Sequence, residues 1–179
     1  MSEFLLAWEG AVLLWIQEYL RGPLSDPVFS FYTRLGNAGM IWIAVSVLML
    51  LFKKTRRAGM AGLFALAVGF VLTNLTVKPL VARVRPWLTV EGLTALVAEH
   101  DPYSFPSGHT CAAFAAACGW RSHLPKGWGN IALICAILMG FSRLYVGVHF
   151  PTDVLCGALI GTLSAWLVHK GKKKLSHSK

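Results

Sequence analysis

At 179 residues the chain has room for at most one domain. It is 55% hydrophobic and only 14% charged, with a mean hydropathy of +0.57, which excludes an ordinary soluble domain of this size. Its net charge of +9 comes from basic residues set in short blocks between apolar runs. That pattern points to anionic lipid headgroups rather than to nucleic acid.

Residues 3–21 are apolar but interrupted. At helical spacing, Trp8, Val12, Trp15, Ile16 and Tyr19 share one face, with Glu9, Gln17, Glu18 and Arg21 on the other. An amphipathic helix lying in the membrane interface is expected, rather than a crossing helix. With Glu3, Glu9 and Glu18 and no basic start, the segment does not resemble a cleavable signal peptide. Gly22-Pro23 breaks it. Asp26 and Pro27 then suit the N-cap and first position of a second short helix, which ends near Gly36.

Five spans are expected from there, at roughly 37–52, 58–78, 107–120, 129–145 and 150–169, with a polar loop over 79–105. Several are shorter than the ~20 residues of a typical crossing. The fold class is therefore all-α: a polytopic membrane helix bundle of about five transmembrane helices plus N-terminal amphipathic interfacial helices. One unit covers 1–179, with interfacial helices in 1–35, a transmembrane core in 37–169 and a basic cytoplasmic tail in 170–179.

Basic blocks at 53–57, 121–126 and 170–174 should face the cytoplasm. Five spans then place three polar segments together on the extracytoplasmic side: Lys78 to Arg85-Pro86, Pro106-Ser107-Gly108-His109, and Ser142-Arg143 through His149 to Asp153. Ionisable groups at membrane depth are functional candidates. Cys111, Cys118, Cys135 and Cys156 lie in apolar runs without metal-ligand spacing and read as packing residues.

The three segments suit cleavage of a phosphate ester, which requires cations for the phosphoryl oxygens, an in-line nucleophile and an acid for the leaving oxygen. Lys78, Arg85 and Arg143 supply the cations. Ser107 and Gly108 precede a helix N-terminus, where backbone N–H groups favour an anion. Asp153, four residues after His149, can bond one imidazole nitrogen and leave the other to attack. His109 can serve as general acid and then as general base for water.

These residues fill a known signature: Lys, six residues, Arg-Pro; then Pro-Ser-Gly-His; then Ser-Arg, five residues, His, three residues, Asp. Over roughly residues 25–170 the chain resembles the type 2 phosphatidic acid phosphatase superfamily, which also includes vanadium haloperoxidases. The resemblance implies that His149 becomes a phosphohistidine, that Asp153 orients it and that His109 protonates the leaving group. Lys78, Arg85, Ser107, Gly108 and Arg143 would hold the phosphoryl group, with Ser142 and Pro106 supporting them. It also implies no metal and no other cofactor. Many relatives have six spans, so this chain looks like a shorter five-span form.

Other residues receive plainer readings. His100, His123, His169 and His177 are expected to be structural or interfacial. Arg83 is expected at the substrate headgroup or the lipid surface, and Ser142 is expected to hold Arg143 or a loop carbonyl. Glu99, His100 and Asp101 read as a solvated loop with a possible part in headgroup choice. Trp87, Tyr103 and Phe105 read as interfacial anchors, and Asn74 and Thr76 as bonded to a neighbouring span. Alanines 112, 113 and 115–117, with Gly157, Ala158 and Gly161, read as close-packing surfaces.

The expected activity is hydrolysis of a lipid phosphate or diphosphate at the outer face of a bacterial plasma membrane. Undecaprenyl pyrophosphate is the preferred substrate, with phosphatidylglycerophosphate, phosphatidate and lipid A as alternatives. The expected partners are the lipid substrate and the bilayer, with no nucleic acid. A phospholipid carrier or a soluble haloperoxidase would use the same fold differently. Two intact histidines disfavour the first, and the apolar spans disfavour the second.

Overall fold

The computed structural model describes residues 3–99 and 101–177, without the side chains of residues 3 and 172–177. His100, the side chain of His177 and the last two residues of the basic tail, Ser178 and Lys179, lie outside the described residues. The regular elements are helices: α1 (Glu3–Leu20), α2 (Ser25–Leu35), α3 (Met40–Leu50), α4 (Arg56–Phe70), α5 (Lys78–Val81), α6 (Gly108–Arg121), α7 (Lys126–Tyr145) and α8 (Pro151–His177). A π-helical stretch, Val71–Val77, joins α4 to α5 into one 26-residue rod.

Among the described residues, three helices are long and apolar enough to cross a bilayer: Arg56–Val81, Lys126–Tyr145 and the Pro151–Gly171 part of α8. A fourth crossing is possible if α2 and α3, bent by 51° across Asn37–Gly39, act as one broken span. The expected span at 37–52 is therefore only the second half of a kinked pair. The span expected at 107–120 is α6, whose 14 residues reach about 21 Å, short of a hydrocarbon core of about 30 Å. Its central position explains this. It packs on α4, α7 and α8, and most of its residues are buried, as are Ser104, Pro106 and Ser107 of the loop feeding it.

The α6–α8 seam fixes the site. A Cβ on Gly157 would sit 2.5 Å from the Ser107 carbonyl, and one on Gly161 would strike the Cys111 carbonyl. Two glycines one turn apart thus bring the backbones together, and Ser107 N donates to Asp153 O at 3.0 Å across the seam. On the far side of α6, Trp120 fits against Gly62 of α4, and its Nε1 donates to Ser46 of α3 at 3.0 Å.

The termini follow from helix direction. The rod ends, α6 begins, α7 ends and α8 begins at one end of the bundle, and the basic blocks 53–57 and 121–126 sit at the other. α1 lies across the site end. Glu9 bonds Thr152 at the start of α8, while Arg21, about 18 Å further along α1, bonds Tyr145 O at the end of α7. Its aromatic side, with Trp8, Trp15 and Tyr19, is exposed. The side facing the protein carries Glu9, Leu13 and Gln17 together with Ile16, which was expected on the aromatic face, while Glu18, expected with Glu9, is exposed. Gln17 and Arg21 clamp loop residues Gly92 and Thr94.

Candidate active site

Three backbone devices present the site. The π-helical stretch turns Asn74 and, just beyond it, Lys78 toward a cavity, and the rod ends at Ala82 in left-handed conformation (φ 46°). The chain then runs extended: Val84 bridges Tyr103, and Ser104 N donates to Arg83 O at 2.7 Å. In an extended segment Arg83 and Arg85 share one face while Val84 turns out. Finally, Ser107 caps α6 by accepting from Thr110 N and from Thr110 Oγ1 at 2.9 Å.

Of the expected residues, Lys78, Arg85, Gly108, His109 and His149 line a single cavity of about 680 Å³. Arg85 Nη1 lies 3.2 Å from His149 Nε2 and 3.1 Å from Val148 O. Asp153 Oδ2 accepts from Phe150 N at 2.8 Å and lies 3.5 Å from His149 Nδ1, longer than a hydrogen bond. His109 Nε2 is 3.0 Å from Asn37 Oδ1, an amide delivered by the α2–α3 bend. Gly108 faces Asn74, whose Oδ1 is 3.2 Å from where a Cβ would stand.

Arg143 is fully buried and reaches the cavity only through Glu99. It donates to Thr33 Oγ1 at 2.5 Å and to Glu99, whose other oxygen accepts from Arg85 at 3.3 Å. Asp101 pairs with Lys78 at 2.5 Å. Two carboxylates thus pair with the three cations, and Glu99 and Asp101 are not the solvated loop expected. Ser107 is buried and its oxygen accepts both bonds from Thr110, which leaves its own O–H as a donor.

Several expected contacts differ. Arg83 lines neither the cavity nor the exposed surface. It is buried, donating to Asp153 at 2.7 Å and to Glu9 at 2.5 Å. The Ser142 hydroxyl donates to Met139 O at 2.7 Å, one turn back, rather than to Arg143 or a loop. Thr76 bonds Val71 O of its own rod. Trp87 lies beside the Arg85 guanidinium, 5.6 Å from it. Pro106 is buried next to the capping serine. Asn37, Thr33 and Glu9 were not singled out as site residues. A polar residue opening an apolar run was the signal for Asn37.

Charge sets the protonation. Burial first, then the charges of Arg143, Arg85 and Lys78, hold the His149 imidazole well below the usual histidine range. Burial pushes the Asp101 carboxyl up, but the bond from Lys78, the Tyr103 N–H and nearby cations outweigh it, so its pKa falls below the ordinary value. Arg85 can only donate, so His149 Nε2 presents its lone pair and Nδ1 carries the proton toward Asp153. The cavity away from these groups is apolar, running past Ile43, Leu63, Leu66, Ala67 and Phe70 between α3 and α4. The arrangement can hold a phosphoryl group at its polar end and a hydrocarbon chain along the rest. Among the described residues no cluster of His, Cys, Asp or Glu could hold a metal.

The comparisons with known proteins agree. An undecaprenyl-diphosphatase of Sulfolobus acidocaldarius is 35% identical over 71% of this chain, although the match takes in only 61% of that relative. A lipid A 4'-phosphatase of Bacteroides thetaiotaomicron is 27% identical over 98% of this chain and 82% of its own length. The crystal structure of a transmembrane phosphatidylglycerolphosphate phosphatase from Bacillus subtilis superposes with a TM-score of 0.78 and 30% identity, covering 97% of this chain and 88% of that one. All three are, by name, phosphatases or diphosphatases of lipid phosphates. The profile of the PAP2 superfamily matches residues 58–176, and the chain belongs to that family as a multi-pass membrane protein.

Proposed function

We propose that this protein hydrolyses a lipid phosphate or diphosphate at the extracytoplasmic face of the plasma membrane, and that undecaprenyl pyrophosphate, cleaved to the monophosphate, is its substrate. The observation behind this reading is the cavity itself, with fixed cations and two histidines at one end and an apolar run toward α3 and α4 at the other. The outward orientation follows from basic blocks at the end of the bundle opposite the site. Phosphatidylglycerophosphate and lipid A bind through the same phosphoryl oxygens and are the alternatives.

In this mechanism the phosphate displaces Glu99 and Asp101 and takes their bonds from Arg85, Arg143 and Lys78. The His149 Nε2 lone pair attacks phosphorus as the bond to the leaving oxygen breaks, and His109 gives that oxygen its proton. The imidazolium character that develops at His149 is stabilised by Asp153. Water then attacks the phosphohistidine as His109 removes its proton, and the P–N bond breaks to release phosphate and return Nε2. Ser107 O–H, Gly108 N–H and the α6 N-terminus face the transferring oxygens.

The test is phosphate release by purified protein in detergent from undecaprenyl pyrophosphate, phosphatidylglycerophosphate and lipid A, each with His149→Ala alongside. Faster turnover of undecaprenyl pyrophosphate, with an inactive variant, supports the reading. Faster turnover of another lipid replaces the substrate but keeps the class. No release from any of them, or an active His149→Ala, overturns the class.

A further inference from the structure

Glu9 is fully buried although it stands on the N-terminal helix, 140 residues before the His149 segment. Its Oε2 accepts from Arg83 Nη2 at 2.5 Å, and its Oε1 accepts from Thr152 N at 2.9 Å and Thr152 Oγ1 at 2.7 Å. Arg83 Nη1 reaches on to Asp153 Oδ1 at 2.7 Å, and the guanidinium lies 3.7 Å over the Phe150 ring. One guanidinium therefore bridges two buried carboxylates, one behind His149 and one delivered by α1.

Charge counting gives this geometry a consequence. Asp153 paired with Arg83 alone would be neutral as a unit and would do little for positive charge developing on His149. Glu9 restores a net charge of −1 to the group. Arg83 also engages only the Oδ1 edge of Asp153, leaving Oδ2 toward His149 Nδ1. Bridging by a planar fork suits arginine and not lysine. Burial makes both effects strong, since charges at this depth are weakly screened.

We propose that Glu9 is a positioning residue for the reaction: through Arg83 it fixes Asp153 and keeps the carboxylate pair behind His149 net negative. The α1 helix is then part of the catalytic unit, not only an anchor. This inference rests on His149 being the nucleophile as read above. A purely structural Glu9, capping the N-terminus of α8 through Thr152, would leave the chemistry at His149 unchanged.

The test compares Glu9→Gln and Glu9→Asp with wild type, reading kcat, KM, the pH profile and thermal stability on whichever lipid of the phosphate-release panel the wild type turns over fastest. Glutamine is isosteric and keeps an acceptor for Thr152, while aspartate keeps the charge. The charged and titratable groups facing His149 are Lys78, Arg85, Glu99, Asp101, His109, Arg143 and Asp153, with Arg83 and Glu9 behind them, so removing Glu9 subtracts one negative charge. Glu9→Gln should lower kcat about tenfold to a hundredfold with KM within about twofold, and should move the acid limb of kcat/KM to lower pH. Glu9→Asp should recover most of the loss. A Glu9→Gln kcat within about threefold of wild type, a loss confined to KM, or a Glu9→Asp as impaired as Glu9→Gln overturns the proposal. If Glu9→Gln does not fold, Arg83→Lys replaces it: the same kcat loss is expected, and a kcat within about threefold of wild type overturns the idea. A wild type and a His149→Ala that release phosphate equally would sink the functional reading itself, a result distinct from either of these.

Discussion

The Nη1 of Arg85 lies 3.2 Å from Nε2 of His149. Because a guanidinium has no acceptor, this contact fixes which imidazole nitrogen carries the lone pair, on a residue that lines the cavity. Under the proposed function, the group assigned to grip phosphate thus also contacts the assigned nucleophile. Arg85→Gln should therefore lower kcat by about 10²–10³-fold, the range for losing one donor aimed at developing charge. Arg85→Lys should recover only a small part, since lysine cannot span His149, Val148 O and Glu99 together. Phosphate release from the lipid substrate measures both.

The depressed pKa of His149 sets the pH dependence. Its folded value lies well below the ordinary histidine value of about 6.5, so the imidazole stays neutral through mildly acidic pH. The acid limb of kcat/KM that belongs to His149 is expected below pH 6.5. Lys78→Met removes one of the cations that depress it, so the limb should move to higher pH. Stability follows the same sign. Between the folded value and about 6.5 the unfolded chain binds the extra proton, so the stability from a neutral His149 is complete above that window and is lost as pH falls through it.

Glu99 stands where a phosphate would meet Arg85 and Arg143. Replacing it by glutamine keeps the shape and removes the competing charge. Glu99→Gln should tighten inhibition by inorganic phosphate or vanadate about threefold to tenfold, read as a lower inhibition constant. An unchanged or weaker constant would mean that the carboxylate supports the two arginines more than it opposes the anion.

Much of this was legible in the sequence, for identifiable reasons. Lys78, Arg85, His109, His149 and Asp153 have fixed spacings, and each spacing maps onto one helix end or one short extended run. The α-helical bundle was legible because apolar runs dominate its length. Glu9 was less so. It was read onto a polar face with Glu18, but in the structure it lies on a buried, largely apolar side with Leu13 and Ile16, which meets Thr152 and Arg83 instead of water, while Glu18 is exposed. Periodicity assigns residues to a side of a helix and not to what the side touches. Arg83 shows the same limit: two residues before Arg85 on an extended segment it shares a face, yet only the tertiary fold tells that Asp153 lies there. The 107–120 run did form one helix, α6, but apolar content alone did not tell that its 14 residues are mostly packed against α4, α7 and α8.

The seam between α6 and α8 is a further point of attack. Gly157→Ala places a methyl against the Ser107 carbonyl with no flexible side chain to yield. A loss of about 1–3 kcal/mol is expected, seen as a lower thermal midpoint in detergent. Activity should fall with it, because the same shift separates Ser107 from Asp153. Gly127→Ala, where a Cβ meets nothing within 4 Å, is the control and should leave both unchanged.

The covalent step at His149 is the centre of this account, and trapping it is the most direct measurement. Purified protein is mixed with lipid substrate bearing ³²P in the scissile phosphate, quenched in alkali within the first turnover, and resolved from free lipid. The expected result is label on the wild-type chain that survives base and is released by acid, as a phosphohistidine should be, and no label on His149→Ala. Label retained on His149→Ala, or phosphate released by that variant at the wild-type rate, would contradict it.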